Sequence, residues 1–351
     1  MTTVQKGLCV KSSVCSDTAA VVVNYNGWKD TVRCVASLLL GDPVPGLILV
    51  INNGSTDDSF THLRQWGTER TIPPLAESHP IYRYVPLKKS LPAFIFHAET
   101  SAPGETMQLP DKQPAVWVIH QAENRGFAAG ANLGLSRAFA RSAIQWVWIL
   151  NHDTVVAPDA LAALRRCTAE QSQHLLWGSK LLDFDQPEVI QAVGGHYRPC
   201  LGLPTHIGQG EADRGQYDRP VAMDYPVGAA LFVHHRFVEA VGALDESYFL
   251  YFEELDWITR ARRKGLTFGY CWQSRVFHRE GSATGGKIVR QKSELSDFYM
   301  VRNRLIFTRR YYPWCLPLVY VSFIGVLLRR IVRGQWRRIP KILKILVTHR
   351  V

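Results

Sequence analysis

A run of five apolar residues that ends in a polar turn constrains the fold of this chain more than any other feature. Residues 146–150, Trp-Val-Trp-Ile-Leu, have the aromatic and β-branched composition of a short strand buried on both faces, as in a parallel sheet. Residues 151–153, Asn-His-Asp, follow directly, and residues 160–166 then form a helical pattern. Ligands of open α/β sheets bind at the carboxyl ends of strands, so Asp153 is placed to hold a divalent cation against a diphosphate. A turn with a capping Asp is the alternative interpretation.

Two strand and helix pairs precede this strand and extend the same pattern. Residues 19–24 and 47–51 are apolar strand patterns, and the helical patterns 29–40 and 59–66 follow them. Right-handed connections place the loops after both strands at one edge of the sheet. We therefore predict an α/β fold with a doubly wound mixed sheet whose first half binds a nucleotide. A turn and capping cluster explains the polar loop 52–58 equally well.

The placement of glycine argues against one common nucleotide-binding class. No Gly-x-Gly-x-x-Gly sequence follows the first strand, which disfavours a dinucleotide-dependent dehydrogenase. Gly126, Gly130 and Gly134 are instead spaced four residues apart, so a helix there can approach a neighbouring backbone or a ligand. Tight helix packing is the alternative. Arg125, just before them, could contact a phosphate or a base edge.

Proline-rich residues 67–114 interrupt the periodic pattern, and we predict that they form a long surface insertion. Residues 115–120 then predict an edge-like strand. Residues 225–233 predict another buried strand, opened by the small residues Gly228 and Ala229. These two residues would either admit a ligand closely or form a tight turn.

Carboxylates concentrate in residues 244–257, where four aromatic residues lead into Glu253, Glu254 and Asp256. In one interpretation these acids complement the dipole of a following helix, and Asp256 pairs with Arg260 one turn later. In the other, a Glu beside a second acid and an aromatic cluster has a raised pKa, which suits a general base.

One histidine follows a strand pattern and precedes a small polar loop. The strand pattern covers residues 267–272, and the histidine is His278. A lone histidine is ordinarily packed or hydrogen-bonded, but its position keeps His278 a candidate metal ligand.

The net charge of +11 is confined to the end of the chain. Residues 298–351 contain twelve Lys or Arg and no Asp or Glu, which leaves twenty-nine basic and thirty acidic residues before them. This distribution disfavours nucleic acid as a partner and predicts a local anionic one. The seven cysteines are scattered without Cys-x-x-Cys spacing, and residues 1–18 lack the apolar run of a signal peptide. We therefore expect the bulk of the protein in the cytoplasm.

The basic tail contains two apolar patterns. Residues 311–328 carry no charge but contain two prolines, and their length is at the short limit of the roughly 20 residues that span a bilayer. Residues 339–346 form a basic amphipathic helical pattern suited to an anionic membrane surface. We predict interfacial or re-entrant attachment, with a soluble packing helix as the alternative.

Together these residues resemble the family 2 glycosyltransferases of the GT-A fold, and more narrowly the bacterial rhamnosyltransferase-like members that build O-antigen and other cell-surface glycans. The resemblance covers residues 19–310 without the insertion. It depends on motifs in the order and spacing of the family, namely Asn24-Tyr25-Asn26, Asn53-Gly54-Ser55-Thr56-Asp57, Asn124-Arg125-Gly126-Phe127, Asn151-His152-Asp153, Phe252-Glu253-Glu254-Leu255-Asp256-Trp257, His278-x-x-Gly281-Ser282 and Arg302-Asn303-Arg304.

The resemblance implies a role for most of these motifs. It implies that Asp153 and His278 hold Mg²⁺ or Mn²⁺ across the donor diphosphate. Glu254 matches the catalytic carboxylate that deprotonates the acceptor hydroxyl, with inversion at the anomeric carbon. Glu253, as the alternate base, and Asp256 complete the catalytic candidates. The remaining candidates are Asn24, Asn26, Asn53, Asp57, Asn124 and Arg125 around the nucleotide, and Trp257 and Tyr251 on the acceptor side.

The partners implied are a nucleoside diphosphate sugar, a lipid-linked or polysaccharide acceptor and an anionic membrane surface at the cytoplasmic face. Deoxythymidine-diphosphate rhamnose is a candidate donor through the branch resemblance alone. The domains predicted are an extension at 1–18, a GT-A domain at 19–285 and a basic helical region at 286–351. Two alternatives remain open, a sugar nucleotidyltransferase and a non-catalytic nucleotide-sugar-binding membrane protein.

Overall fold

The computed structural model describes residues 13–100, 113–279 and 294–348, and one mixed β-sheet lies at its centre. The strands in chain order are β1 (Val14–Asn24), β2 (Val44–Asn53), β3 (Ile95–Thr100), β4 (Ala115–Gln121), β5 (Trp146–Asn151), β6 (Thr154–Val156), β7 (Leu176–Asp183), β8 (Ile190–Ala192), β9 (Gly195–Arg198), β10 (Leu203–His206), β11 (Ala230–His234) and β12 (Gly269–His278).

Helices connect most of these strands. In chain order they are α1 (Trp28–Leu39), α2 (Ser59–Glu69), α3 (Phe127–Phe139), α4 (Ala160–Glu170), α5 (His235–Val241), α6 (Glu253–Arg263), α7 (Glu294–Tyr311), α8 (Leu316–Val332) and α9 (Ile339–Thr348), with short 3-10 turns at Pro80–Arg83, Pro313–Cys315 and Trp336–Arg338.

The sheet is parallel on one side and mixed on the other. Its order is β3-β4-β2-β1-β5-β11-β7-β12-β6, with β8 paired to β7. Neighbours from β3 to β5 are parallel, whereas β11 is antiparallel to both β5 and β7. Strands β9 and β10 form a separate hairpin. This arrangement confirms the predicted doubly wound mixed α/β sheet.

Several strand boundaries differ from the predictions. The first strand starts at Val14, so part of the predicted N-terminal extension belongs to the sheet. Residues 115–120 form an interior strand instead of an edge, because β3 pairs with the outer side of β4. The strand predicted at 225–233 begins only at Ala230.

The proline-rich insertion is more integrated than its sequence suggested. The prediction of a surface insertion is wrong for residues 95–100, which form the edge strand β3. Ile81 and Phe94 are buried in the main core. The prolines break the local period, so contacts with distant residues determine this part of the structure. Residues 101–112 lie outside the described part of the chain.

Helices cover both faces of the sheet, and each face has its own core. Ala20 and Val22 of β1 pack with α1, α2 and α4, while Val21 and Val23 of the same strand pack with α3, α5, α6 and α7. This alternation follows from the period of two in a strand. The buried apolar runs therefore specify a sheet that is sandwiched between two helical layers.

The glycines of α3 allow this helix to lie directly on β1. A Cβ added at Gly130 would stand 2.7 Å from Val23 Cγ1, and one added at Gly134 would overlap Val21 Cγ1. The predicted close approach is confirmed. It places the N-terminus of α3 beside the end of β1.

The basic tail forms a helical hairpin. Helices α8 and α9 pack against α7 around a small core, which contains Val301, Leu305, Val319, Phe323, Ile342 and Ile345. In the described part of the chain, Pro313–Val332 is the one helical segment with the length and hydropathy to cross a bilayer.

A pair of Gly→Ala substitutions tests the packing of α3. Gly134→Ala should lower the free energy of unfolding by about 1–3 kcal/mol, because the new methyl group meets Val21 in a filled core. Gly325→Ala in α8 should raise it by up to about 1 kcal/mol, because no atom lies within 4 Å of that site. Urea unfolding followed by circular dichroism measures both. Equal effects would contradict this packing.

Candidate active site

The end of the central strand brings Asp153 and His278 together. Asp153 follows β5, and His278 is the last residue of β12, which pairs with β6 just beyond Asp153. The His278 Nε2 lies 3.1 Å from Asp153 Oδ1, and both side chains are nearly buried. The proposed metal ligands therefore share one site, although they are 125 residues apart in sequence.

Gln191 fixes the orientation of His278. Its Oε1 is 2.7 Å from His278 Nδ1, and its Nε2 lies 3.5 Å from the His278 carbonyl oxygen. This double contact orients the amide so that Nδ1 donates its hydrogen, which leaves the Nε2 lone pair facing Asp153. Such an outer partner is typical of a metal-binding histidine. Among the described residues, no group of three or more His, Cys, Asp or Glu side chains could hold a metal, so a cation here would depend on few protein ligands.

The predicted nucleotide loops meet at the same edge of the sheet. Asn24 Nδ2 donates to Asn52 Oδ1 at 2.8 Å, and Thr31 Oγ1 donates to Asn24 Oδ1 at 2.8 Å. Asn52 also lies 2.9 Å from His120 Nδ1. Asn24 and Asn52 are fully buried. Both amides therefore support the loops from below.

The next residues join the two loops above this layer. Asn26, in the left-handed conformation with φ 52°, accepts from the Thr56 amide at 2.8 Å through Oδ1. The exposed Asp57 accepts from the amide of Ser59, the first residue of α2, at 3.0 Å. Asn26 and Asp57 thus use side-chain oxygens in hydrogen bonds that shape the loop.

The motif before α3 contacts the end of β2 through Asn53. Asn53 Nδ2 donates to Asn124 Oδ1 at 3.2 Å and to the Gly126 carbonyl at 2.8 Å. Asn53 Oδ1 is buried and has no hydrogen-bond partner in the described part of the chain. Arg125 is 65% exposed and lies 3.4 Å from Glu246. Of the predicted nucleotide contacts, Arg125 and Asp57 are the exposed charged side chains.

The acidic segment enters α6 through two strained residues. Tyr251 and Phe252 have φ of 70° and 74°, which is the left-handed region that non-glycine residues rarely adopt. Phe252 caps the helix, so Glu253 and Glu254 occupy its first turn. Tyr251 is half-buried, and its hydroxyl donates to Ser296 Oγ at 3.2 Å.

Glu253 and Glu254 have different surroundings despite being adjacent. Glu253 is 6% exposed, and its Oε2 has no partner in the described residues. Burial, followed by the charge of Glu254, raises the pKa of Glu253 well above its ordinary value. Burial also raises the pKa of Glu254, but the backbone N–H groups of Glu254 and Leu255 oppose that rise. Glu254 is half-buried, so it is the more accessible carboxylate.

A short connection joins Glu254 to the Asp153 and His278 pair. A Cβ added at Gly228 would lie 3.2 Å from Glu254 Cβ, so Glu254 packs directly on this glycine. The next residue, Ala229, accepts a hydrogen bond from the Asn151 amide at 3.1 Å. Asn151 is two residues before Asp153. The predicted wall of Gly228 and Ala229 therefore lies between the acidic segment and the end of β5.

Two predicted site residues face the core instead. The Asp256 side chain has no exposed surface, and it accepts from Arg260 at 2.8 Å, Arg310 at 2.9 Å and Tyr311 at 2.6 Å. The Asp256 and Arg260 pair predicted from helical spacing is confirmed. The carboxylate is enclosed by its partners, so its geometry fits a structural role and not contact with substrate.

The position of Trp257 also differs from the prediction. Its ring is fully buried, and Nε1 donates to the Gly242 carbonyl at 2.8 Å. It packs edge-on against Phe237. This position is part of the core beneath the sheet, so the prediction that Trp257 contacts an acceptor is wrong.

Comparison with known families gives this geometry a context. The family model described as "Glycosyltransferase like family 2" matches residues 105–294, which is more than half of the chain. The chain belongs to this family. The predicted family resemblance is thereby confirmed, and the rhamnosyltransferase-like branch stays a prediction.

Individual relatives of this glycosyltransferase family member are distant. The low-salt glycan biosynthesis hexosyltransferase Agl10 of Haloferax volcanii is 22% identical over 211 residues, which are 60% of this chain and 66% of that protein. The crystal structure of GalNAc-T7 with UDP, GalNAc and Mn²⁺ superposes with a TM-score of 0.51 at 16% identity, and the match covers 81% of this chain and 47% of that one. The chain spans just under two thirds of the first relative and about half of the second. The structural likeness supports the predicted GT-A fold.

Sequence reasoning missed two residues of this family 2 site. Gln191 lies in the three-residue strand β8, where no local pattern marks it as a partner of His278. Asn303 was noticed only as part of a motif, but its Nδ2 donates to the carbonyls of Leu250 and Tyr251. Both residues act through contacts with positions more than fifty residues away.

The raised pKa of Glu253 predicts a dependence of stability on pH. The folded state holds this proton more tightly than the unfolded state, so ionisation of Glu253 destabilises the fold as the pH rises above about 4.5. Glu253→Gln should therefore have little effect near pH 4.5 and should stabilise the protein increasingly above it. The gain should approach about 1.4 kcal/mol per pH unit until the folded-state pKa is passed.

Urea unfolding at a series of pH values measures this gain. The matched control is Glu77→Gln, because Glu77 is exposed in a loop and pays no burial penalty. A constant difference between Glu253→Gln and the parent protein across the pH range would contradict the assignment.

Proposed function

We propose that this chain transfers a sugar from a nucleoside diphosphate sugar to a hydroxyl group of a lipid-linked or polysaccharide acceptor, with inversion at the anomeric carbon. The observation that carries the proposal is the connection between Glu254 and the Asp153 and His278 pair through Gly228 and Ala229. It joins a carboxylate of raised pKa to a pair of oxygen and nitrogen ligands at one edge of the sheet. Membership of glycosyltransferase family 2 agrees with this chemistry.

Glu254 is the proposed general base. Its raised pKa brings the carboxylate closer to neutral pH, where proton transfer is efficient. The acceptor hydroxyl gives its proton to Glu254 while its oxygen bonds to the anomeric carbon, and the bond from that carbon to the diphosphate breaks. Glu253 is nearly enclosed, and burial with the charge of Glu254 raises its pKa well above the ordinary value, so the more exposed Glu254 is the better candidate for the base.

Asp153 and His278 are the proposed ligands of Mg²⁺ or Mn²⁺. The fit is supported by their separation of 3.1 Å and by the contact of His278 Nδ1 with Gln191. A cation held by one or two protein ligands usually completes its shell with phosphate and water. When bound, such an ion neutralises the charge that develops on the leaving diphosphate.

The donor side is proposed to include Asp57 and Arg125, the exposed charged groups of the two loops. Asn24, Asn26, Asn53 and Asn124 would hold those loops in shape around the nucleotide. The GalNAc-T7 structure contains UDP, GalNAc and Mn²⁺. Together with the branch resemblance, this makes deoxythymidine-diphosphate rhamnose and uridine-diphosphate sugars the first donors to test.

A calorimetric titration tests the donor and the cation together. We expect one nucleoside diphosphate sugar to bind only when Mg²⁺ or Mn²⁺ is present. Asp153→Asn should abolish this metal-dependent binding. Gln191→Leu should weaken the apparent Mn²⁺ affinity by about 10- to 100-fold, because His278 loses the partner that orients it.

Asp159→Asn is the matched control, because Asp159 is an exposed carboxylate six residues beyond Asp153. It should leave binding unchanged. The proposal is abandoned if no nucleoside diphosphate sugar binds with either cation. Release of pyrophosphate from a nucleoside triphosphate and a sugar phosphate would instead identify a nucleotidyltransferase.

We also propose that the helical hairpin docks on an anionic membrane surface. The outer side of α8 and the 3-10 turn before it expose a helical stripe of large apolar side chains next to basic residues. The stripe, called the docking face here, consists of Trp314, Leu318, Val321, Ile324, Leu328 and Val332.

Vesicle binding tests the docking face. A double variant, Ile324→Glu and Leu328→Glu, should weaken binding to vesicles of phosphatidylcholine and phosphatidylglycerol by at least roughly tenfold, because burying each parent side chain is worth about 1.5–3 kcal/mol. Binding of the parent protein should weaken when phosphatidylglycerol is omitted or salt is raised. The control, Leu201→Glu, changes an apolar residue of similar exposure on the catalytic domain. Equal losses in the control and the double variant would refute the docking face.

A further inference from the structure

The residues that lead into Glu254 form no helix or strand of their own. Residues 247–252 connect α5 to α6, and their backbone carbonyls are satisfied by neighbouring elements. Arg302 Nη1 donates to the Ser247 carbonyl at 2.8 Å, and the Phe127 amide donates to the Phe249 carbonyl at 2.9 Å. This segment therefore depends on α3 and α7 for its shape.

Asn303 provides the central contact. Its Nδ2 donates to the Leu250 carbonyl at 2.8 Å and to the Tyr251 carbonyl at 2.9 Å. Its Oδ1 accepts from Arg302 Nη1 at 2.9 Å, which fixes which end of the amide faces the segment. Asn303 has no exposed surface. A buried amide whose donors are both used has little freedom to rotate, so it can hold two consecutive carbonyls in one orientation.

The backbone is strained at the second of these carbonyls and at the residue after it. The second carbonyl belongs to Tyr251, and Tyr251 and Phe252 have left-handed φ angles of 70° and 74°. Two adjacent non-glycine residues in this region are unfavourable, and they persist only where surrounding contacts determine them. The strained pair directly precedes Glu253, the first residue of α6. Its conformation therefore sets the direction in which the first turn of α6 leaves the segment.

We propose that Asn303 is a positioning residue for the transfer reaction. It holds the left-handed pair so that the first turn of α6 presents Glu254 against Gly228. The proposal rests on the proposed role of Glu254 as the base. Asn303 itself is fully buried behind the segment, so it acts through the segment and is not a catalytic residue. A misplacement of about 1 Å at a reacting group can cost on the order of 10²-fold in rate.

Substitution of Asn303 separates positioning from general stability. Asn303→Asp keeps the shape and removes both N–H donors, and Asn303→Ala removes the whole amide. The matched control is Thr308→Val, which deletes a different buried polar group of α7, a hydroxyl whose contacts are Arg304 and Tyr197. All variants are made in the full chain.

Hydrogen exchange measured by mass spectrometry reads the geometry directly. In the Asn303 variants, the amides of residues 250–256 should exchange roughly tenfold faster or more, because the first turn of α6 opens locally. Thr308→Val should leave these amides protected. Protection that is unchanged in both Asn303 variants, or lost equally in the control, overturns the proposal whether or not the protein is a glycosyltransferase.

Kinetics with the donor identified by calorimetry gives the second readout. Asn303→Asp should lower kcat by roughly 10²-fold while the donor affinity stays that of the parent protein, because the Asp153 and His278 pair lies outside the segment. A loss of donor affinity with normal kcat would overturn the proposal. Failure of every donor to turn over would count against the proposed function and leave the exchange result to decide the position of α6.

A double substitution covers the case in which Asn303→Ala is too unstable for exchange measurements. Tyr251→Gly removes the side-chain cost of the left-handed conformation. It should lower the melting temperature of the parent protein, because it removes the hydroxyl contact with Ser296, but should lower that of Asn303→Ala by less, because a segment released from Asn303 no longer holds Tyr251 in that contact. A decrease of similar size in both backgrounds would show that Asn303 does not hold the strained pair.

Discussion

The pairing of β5 with β1 on one side and β11 on the other is the constraint on which the site depends. β5 runs parallel to β1, so the polar residues that follow both strands meet at one edge. β11 is antiparallel, and its first residue, Ala230, pairs with Leu150 near the end of β5. The beginning of β11 therefore reaches the edge where the parallel strands end. That reversal places Gly228 and Ala229 beside Asn151 and gives Glu254 a surface to pack on.

Helix α7 connects this edge to the rest of the molecule. Its polar side, through Arg302, Asn303 and Arg310, contacts the acidic segment and the buried Asp256. Its apolar side, through Val301 and Leu305, packs in the core of the hairpin. One helix thus makes polar contacts with the segment that leads into the candidate base and apolar contacts with the inner core of the hairpin that carries the docking face. A tail that only adhered to a membrane would need no polar contacts with the acidic segment.

Sequence patterns correctly predicted those strands and helices whose formation depends on residues close together in the chain. The apolar runs in β1, β2 and β5 and the spacing of Asp256 and Arg260 specify strands and a helix without reference to distant residues. The family motifs placed Asp153 and His278 together, and the structure has them in contact. Residues 95–100 were missed because pairing with β4, not their own periodicity, makes them a strand. Asp256 and Trp257 were misassigned because partners far away in sequence enclose them.

The two adjacent glutamates show how a single helix start can separate the behaviour of identical side chains. Successive helical residues point about 100° apart, so Glu253 turns into the protein while Glu254 faces the wall at Gly228. Burial raises the pKa of both, and backbone N–H groups at the helix N-terminus oppose the rise at both, through the amide of Glu253 for Glu253 and through the amides of Glu254 and Leu255 for Glu254. Repulsion between the two charges falls chiefly on Glu253 and favours its neutral form. The stronger rise at Glu253 leaves Glu254 as the carboxylate that ionises more readily of the two, and this difference requires the strained entry into α6 to stay fixed.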